Sequence, residues 1–187
     1  MTAIAAADHV FVTRLPEPIV TDRLVLRAPN RGDAVAMARL ANNRNIHKWL
    51  ARLPNPYGEA DAVHFIDCGA RSADEHAYAV ATDDGGFIGV IGLQLKSEAP
   101  VELGYWLGEP YWGLGYGSEA VDALVAAADR AGCDRIAARA LSSNRASRRV
   151  LEKSGFVETA ERIDDCGPRK GVSVAYYLRE RLRCVRN

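Results

Sequence analysis

One segment, residues 101–132, most constrains the fold of this chain, because a strand pattern there passes through a glycine-spaced turn directly into a helix pattern. Apolar residues alternate with others from Val101 to Leu107, which predicts a strand with its odd-numbered side chains on one face. Glu109-Pro110 ends this strand. Three glycines then occur at alternate positions: Gly113, Gly115 and Gly117. Glycine adopts positive φ and carries no Cβ, so several backbone N–H groups of this turn can converge on one bound group.

The helix after the turn is predicted to begin at or near Gly117. Its apolar residues fall on one stripe at helical spacing: Ala120, Val121, Leu124, Val125 and Ala128. The N-terminus of this helix carries a partial positive charge and faces the turn. Because anions bind at such N-termini, the segment predicts a site for a phosphate or pyrophosphate group.

Three phosphate-binding patterns compete for this turn. A P-loop requires Lys followed by Ser or Thr after its last glycine, but Ser118 and Glu119 occupy these positions. A dinucleotide pattern can be matched from Gly115 onward, but it requires an acidic residue at the end of the next strand, where Ser142 stands. The third pattern depends on a second segment downstream.

That second segment has the form N-x-x-S-x-x-x-L-E-K-x-G-F between Asn144 and Phe156. The chain also has T-D-R-L-V-L-R at residues 21–27 and E-L-G-Y-W-L at residues 102–107. With the glycine turn, these motifs resemble the GNAT superfamily of acyl-CoA-dependent N-acetyltransferases. Within it, the chain is most similar to the Rim-type branch, which acetylates the N-terminal alanine or serine of ribosomal proteins. The resemblance covers about residues 21–178.

Length and charge are compatible with this resemblance. The chain has 187 residues, enough for one domain with a full core, and no linker or internal repeat divides it. We therefore predict a single acetyltransferase domain over residues 21–187, preceded by an N-terminal extension over residues 1–20. The 24 basic and 24 acidic residues balance, which argues against a nucleic-acid surface or a polybasic membrane contact. The predicted partner is a small molecule or a peptide.

The cysteines and the N-terminus bear on the compartment. The four cysteines form no C-x-x-C pair, which favours reduced thiols over a zinc site or a disulfide framework: Cys68, Cys133, Cys166 and Cys184. The first residues lack the basic and apolar regions of a signal peptide, and no apolar run is long enough to span a bilayer. We expect a cytoplasmic protein, and the resemblance implies a monomer or a homodimer.

The rest of the pattern predicts an alternating α/β chain. Strands are predicted at residues 24–27, 77–82, 87–95, 136–141, 156–163 and 172–178. Helices are predicted at residues 32–41, capped by Asn30, at residues 59–71, and at residues 144–154, closed by Gly155. A polar, proline-containing loop over residues 42–58 separates the first two helices. The predicted fold class is α/β, with a GNAT-type mixed, mostly antiparallel central sheet and helices on both faces.

The resemblance implies that acetyl-CoA is the acetyl donor and that no metal takes part. Its pyrophosphate would contact the backbone amides of the turn: Gly113, Leu114, Gly115, Tyr116, Gly117 and Ser118. Its pantetheine arm would bind like an added strand beside Trp106 and Leu107. In the family, the strands that here bear Leu107 and Ile136 splay apart, and the thioester lies in the gap. An amine would attack its carbonyl directly, and a backbone N–H near Leu107 would polarise the oxygen.

Glu102 is the candidate general base, acting directly or through one water, because it is a carboxylate among apolar and glycine positions of the strand before the turn. The alternative is a cross-strand ion pair in which Glu102 takes no proton. Many members of the superfamily carry a tyrosine where this chain has Ser147, so Ser147 is expected to hydrogen-bond the CoA sulfur or the pantetheine. Asn144 is predicted to cap its helix, to bind the pantetheine, or both. Trp112 replaces the Gln or Arg that often opens the phosphate turn.

The acceptor amine is the least constrained part of the prediction. An α-amine with a pKa of about 7.7–8.0 loses only about 1 kcal/mol to deprotonation at neutral pH, against about 4.6 kcal/mol for a lysine. A peptide or protein N-terminus therefore suits a weak base. Trp49 and Tyr57 are candidate substrate contacts, or else core side chains under the loop. The alternatives are acetylation of a polyamine, an aminoglycoside or an amino acid, and a non-catalytic module that binds acyl-CoA.

Overall fold

The computed structural model describes residues 10–50, 53–95, 100–164 and 170–181. Within these ranges eight strands form one sheet in the order β1-β2-β3-β4-β5-β6-β8-β7. Neighbouring strands are antiparallel, except that β5 and β6 are parallel. The strands are β1 (Ile19–Val20), β2 (Leu24–Arg27), β3 (Glu75–Thr82), β4 (Phe87–Gln94), β5 (Val101–Leu107), β6 (Arg135–Leu141), β7 (Val157–Ile163) and β8 (Ser173–Glu180). The predicted mixed, mostly antiparallel sheet is confirmed.

The helices connect these strands and pack against the sheet. They are α1 (Ala34–Ala41), α2 (Arg44–His47), α3 (Glu59–His64), α4 (Tyr116–Ala131) and α5 (Arg145–Lys153). Short 3₁₀ turns lie at Val10–Arg14, Arg31–Asp33 and Glu109–Tyr111, and a π-helical turn at Phe65–Gly69. The helix predicted to begin near Gly117 is α4, which begins one residue earlier.

Alternate residues of β3 enter two different cores, as the period of a strand requires. Tyr78 and Val80 lie in the larger core together with the apolar stripe of α4. Ala77 and Ala79 lie in a second core with residues of α1 and α3. The sheet is therefore covered by helices on both faces, and Phe11 and Ile19, from the segment predicted as an extension, also pack in the larger core.

Three predicted elements differ in detail from the structure. The helix predicted over residues 32–41 opens as a 3₁₀ turn, where Gly32 N donates to the Asn30 side chain over 2.9 Å, and becomes α-helical only at Ala34. The loop predicted over residues 42–58 contains α2, because the Asn43 side chain caps a short helical turn. The helix predicted over residues 59–71 changes to a π-helical turn after His64.

The parallel pair β5–β6 separates part of the way along its length. Backbone pairing joins the first residues of both strands and ends, within these described strands, at Leu103 and Ala138. Beyond that point β5 stays paired with β4, and β6 stays paired with β8. The two strands therefore part beyond these residues and leave a gap in the sheet, on the side where β5 continues into the turn at residues 113–118.

Candidate active site

The glycine turn and the start of α4 form one continuous surface of backbone amides. Gly113 has φ 75° and Gly115 has φ 86°, both in the left-handed region that favours glycine. The first helical hydrogen bond runs from Glu119 N to Gly115 O over 3.1 Å. The amides of residues 116–118 therefore precede the hydrogen-bond ladder of α4 and point out of its N-terminus.

The shape of this turn suits a phosphate group. A Cβ placed on Gly113 would meet no atom within 4 Å, so the backbone there is open to a ligand. A Cβ on Gly115 would lie 3.2 Å from Arg23 Nη2, which shows that a guanidinium already lies against the turn. Backbone N–H donors, a helix N-terminus and a nearby guanidinium are groups that bind phosphate and pyrophosphate.

Trp112 connects the turn to the end of β5. Its indole Nε1 donates to Leu107 O over 2.7 Å, while the side chain remains partly exposed. The tryptophan that departs from the expected Gln or Arg thus has a definite structural contact. The predicted pantetheine position at Trp106 and Leu107 lies on this same strand, beside the gap between β5 and β6.

A tyrosine and a serine meet across the gap. The Tyr105 hydroxyl donates to Ser147 Oγ over 3.2 Å, which links β5 to the first turn of α5. Burial raises the pKa of Tyr105, and its hydrogen bond with Ser147 offsets this only in part. Asn144 caps α5, since its Oδ1 accepts from Ser147 N over 3.2 Å. Capping uses the acceptor end of Asn144, so a pantetheine carbonyl would bind at its Nδ2 donor.

Glu102 lies at the closed end of the gap, where β5 is still paired with β6. Its Oε1 accepts from Arg139 Nε over 2.8 Å, and its side chain is only 13% exposed. Burial alone would lower the pKa of Arg139, but the Glu102 carboxylate and Tyr176 together raise it above its usual value. The structure therefore contains the cross-strand ion pair that was the alternative to a catalytic role.

The loop before α3 is attached to the end of β5. Glu109 accepts from Asn43 Nδ2 and from Asn45 Nδ2, each over 2.7 Å. These bonds hold α2 and its cap against the 3₁₀ turn that follows β5. Trp49 follows α2 and is half-buried, with Lys48 Nζ 4.9 Å from its ring centroid. Tyr57 is 5% exposed, and its hydroxyl lies 3.6 Å from Met37 Sδ. This placement favours core packing of Tyr57 over contact with a substrate.

Sequence reasoning missed three parts of this arrangement. Tyr105 was assigned only to the apolar face of β5, because the point where β5 and β6 separate is not visible in the sequence. Arg139 carried a usable signal, since a charged residue among the alanines of a central strand predicts a carboxylate partner on the next strand. Glu109 was interpreted only as a strand end, and its amide partners lie more than sixty positions away.

The described residues contain neither a metal-ligand cluster nor a membrane-spanning helix. Among the residues that the structure describes, no group of three or more His, Cys, Asp or Glu side chains is arranged to hold a metal ion. None of the helices in the described ranges has both the length and the apolar content needed to cross a bilayer.

The fold is that of the acyl-CoA-dependent acetyltransferases. A family model described as an acetyltransferase (GNAT) domain matches residues 23–157, so the chain belongs to the GNAT acetyltransferase family. It is accordingly an N-acetyltransferase that uses acetyl-CoA as donor.

Individual relatives are distant in sequence and similar in fold. The chain is 26% identical over 115 residues to the uncharacterized N-acetyltransferase YycN of Bacillus subtilis (strain 168), covering 59% of this chain and 74% of that protein. It superposes on RimL, the ribosomal L7/L12 α-N-protein acetyltransferase in complex with coenzyme A, with a TM-score of 0.76 and 21% identity. The superposition covers 88% of this chain and 98% of RimL. Spermidine N-acetyltransferase from Vibrio cholerae, in complex with CoA and spermine, gives a TM-score of 0.73 and 19% identity, over 86% of this chain and 97% of that enzyme.

Proposed function

We propose that this enzyme acetylates the N-terminal α-amine of a peptide or protein. The observation that carries the proposal is the gap between β5 and β6, which opens beside the amide-lined turn and has Glu102 at its closed end. A donor bound on the turn and an amine entering the gap would meet there. The structural likeness to RimL, an α-N-protein acetyltransferase, supports a protein N-terminus as the acceptor.

Backbone groups would hold the donor. The amides of residues 113–118 and the positive end of α4 would bind the pyrophosphate, and β5 at Trp106 and Leu107 would bind the pantetheine arm. Each charge-assisted hydrogen bond contributes about 1.5–3 kcal/mol, so a few of them anchor the molecule without a metal. Acetyl-CoA supplies the thioester whose acetyl group is transferred to the amine.

Glu102 would take the proton of the incoming ammonium, directly or through one water. Its Oε1 accepts a hydrogen bond from Arg139, and a carboxylate is a weak base. A weak base is sufficient for an α-amine, because deprotonating it costs only about 1 kcal/mol at neutral pH. This match between base and amine is the physical argument for a peptide N-terminus over a lysine side chain.

Ser147 would stabilise the leaving thiolate. Its Oγ accepts the hydrogen bond from Tyr105, so its own O–H can point toward the sulfur. The raised pKa of Tyr105 keeps the phenol protonated and therefore in its donor role. Asn144, which caps the same helix turn, would fix the position of Ser147 through the Ser147 backbone amide.

A small amine is the second candidate acceptor, and the structural likeness to spermidine N-acetyltransferase favours it. Recognition of a polycation requires several carboxylates around the acceptor. Glu109, in the 3₁₀ turn after β5, is however already engaged by Asn43 and Asn45. We therefore place the peptide N-terminus first.

The experiment that tests the proposal is release of free CoA from acetyl-CoA, corrected for hydrolysis, over a panel of acceptors. The panel combines short peptides that begin with Ala or Ser, the same peptides with a blocked N-terminus, polyamines, aminoglycosides and free amino acids. Turnover confined to free peptide N-termini is the expected result. Turnover only with small amines would contradict a peptide N-terminus as the acceptor and favour a small amine instead. CoA binding with no turnover on any acceptor would instead indicate a binding module.

A further inference from the structure

The motif T-D-R-L at residues 21–24 was part of the family resemblance, but nothing in the sequence assigns it a role. In the structure it forms the turn between β1 and β2, and this turn packs on the first turn of α4. Thr21 Oγ1 donates to Glu119 Oε1 over 2.6 Å, and Arg23 N donates to the same oxygen over 3.0 Å. A motif almost a hundred residues upstream therefore contacts the anion-binding turn directly.

The Arg23 guanidinium makes the main contacts. Its Nε donates to Glu119 Oε2 over 2.7 Å, and Nη2 lies 2.6 Å from the same oxygen. Its Nη1 donates to Leu114 O over 3.0 Å, and the guanidinium carbon lies 4.6 Å from the centroid of the Tyr116 ring. Arg23 thus connects the centre of the glycine turn to the first residues of α4.

Glu119 explains why a cation is needed at this position. It lies in the first turn of α4, so its carboxylate is close to any anion bound at the helix N-terminus. Burial alone would raise the pKa of Glu119, but hydrogen bonds from Thr21 and Arg23 outweigh this and lower it below its usual value. Glu119 is therefore ionised, and without Arg23 its charge would repel a bound phosphate.

We propose that Arg23 is a positioning residue for the phosphate-binding turn: it holds Leu114 O and α4 in the shape that presents the amides, and it neutralises Glu119 beside the bound pyrophosphate. The inference rests on the proposed function, because it assumes that CoA binds on this turn. It assigns Arg23 to binding of the phosphate end of the donor and not to acetyl transfer itself.

The test is Arg23→Met, which keeps the aliphatic stem and removes the guanidinium. We expect the Kd for CoA, measured by calorimetry, to rise on the order of tenfold. The kcat at saturating acetyl-CoA should stay within about twofold. The KM for acetyl-pantetheine, a donor without pyrophosphate, should not change. Adding Glu119→Gln to Arg23→Met should recover part of the lost CoA affinity, because the unpaired carboxylate is then removed.

Arg31→Met is the matched control, because Arg31 forms a similar forked ion pair with Asp67, away from the turn. It should leave the CoA Kd unchanged. Arg23→Lys keeps the charge but cannot span Glu119 and Leu114 O together, so it should give an intermediate Kd and serves if Arg23→Met folds poorly. An unchanged CoA Kd in both Arg23 variants, or an equal loss with acetyl-pantetheine, would overturn the inference. Failure of the wild-type protein to bind CoA would instead contradict the proposed function.

Discussion

The position of Glu102 is compatible with both roles that the sequence predicts as alternatives, a general base and a cross-strand ion pair. The ion pair with Arg139 is present at 2.8 Å, with the Glu102 side chain mostly buried and the Arg139 side chain partly exposed. An ion pair does not exclude a catalytic role, because a general base must be unprotonated before it accepts a proton, and the carboxylate of an ion pair is unprotonated. Position adds to this argument, since Glu102 lies next to Leu103, where the pairing of β5 with β6 ends and the gap begins.

We expect Glu102→Gln to lower kcat by about 100-fold, the lower part of the range for loss of a general base. The CoA Kd should stay unchanged, since Glu102 lies away from the turn proposed to bind the pyrophosphate. Glu180→Gln is the control: Glu180 also pairs with an arginine of β6, Arg135, at 3.5 Å, but is exposed. If Glu102→Gln kept the wild-type kcat, Glu102 would not be the general base, and its role would be structural.

The glycine turn gives a prediction for the element that joins β5 to α4. Gly115→Val should abolish measurable CoA binding, because Gly115 has φ 86° and a side chain there would be driven against Arg23. The strain of a left-handed residue costs about 1–2 kcal/mol by itself. Gly171→Val separates the two effects, since Gly171 has φ 83° and a Cβ there would meet nothing within 4 Å.

Both variants should lower the melting temperature, and only Gly115→Val should lose CoA affinity in calorimetry. Near-normal CoA affinity in Gly115→Val would refute the placement of the pyrophosphate on this turn. Loss of affinity in Gly171→Val would show that general strain, and not contact with the ligand, is being measured.

Elements with a strong local signal were predictable from sequence. The apolar stripe of α4 and the glycines before it gave the turn and the helix start to within one residue. The helix α2 is not predicted because four residues carry too little periodicity. Its cap Asn43 and its Asn45 are held by Glu109, far along the chain. The same reason applies to Arg23 and Tyr105, whose partners are set by how strands and helices come together.

The N-terminal segment is attached to the sheet by polar contacts as well as by its apolar residues. The Tyr78 hydroxyl donates to Pro16 O over 3.1 Å, and Arg71 Nη2 lies 2.5 Å from Glu17 Oε2. The Arg71 guanidinium carbon also lies 4.8 Å from the centroid of the Tyr78 ring. His76 completes this group, with Nε2 3.3 Å from the Tyr78 hydroxyl. Because that hydroxyl already donates to Pro16, the proton of a neutral His76 is on Nε2.

This group makes the stability of the whole molecule depend on pH. Burial, and then the nearby Arg71 cation, lower the pKa of His76 from 6.5 to about 4, against a weaker opposing effect of Glu17. Between these values the unfolded chain binds the proton more readily, so the free energy of unfolding should fall as pH drops from about 7 to 4. This contribution should level off below about pH 4. For a half-buried ring we expect a loss on the order of 1 kcal/mol.

Urea unfolding of His76→Gln across that pH range measures this contribution, because glutamine keeps a donor near Tyr78 and does not titrate. The difference in free energy of unfolding between wild type and His76→Gln should shift in favour of the variant as pH falls from 7 to 4. His64→Gln, which removes an exposed imidazole on α3, should run parallel to wild type. Parallel curves for wild type and His76→Gln would mean that protonation of His76 does not oppose folding, and the burial of its ring against Arg71 would then lack the predicted energetic consequence.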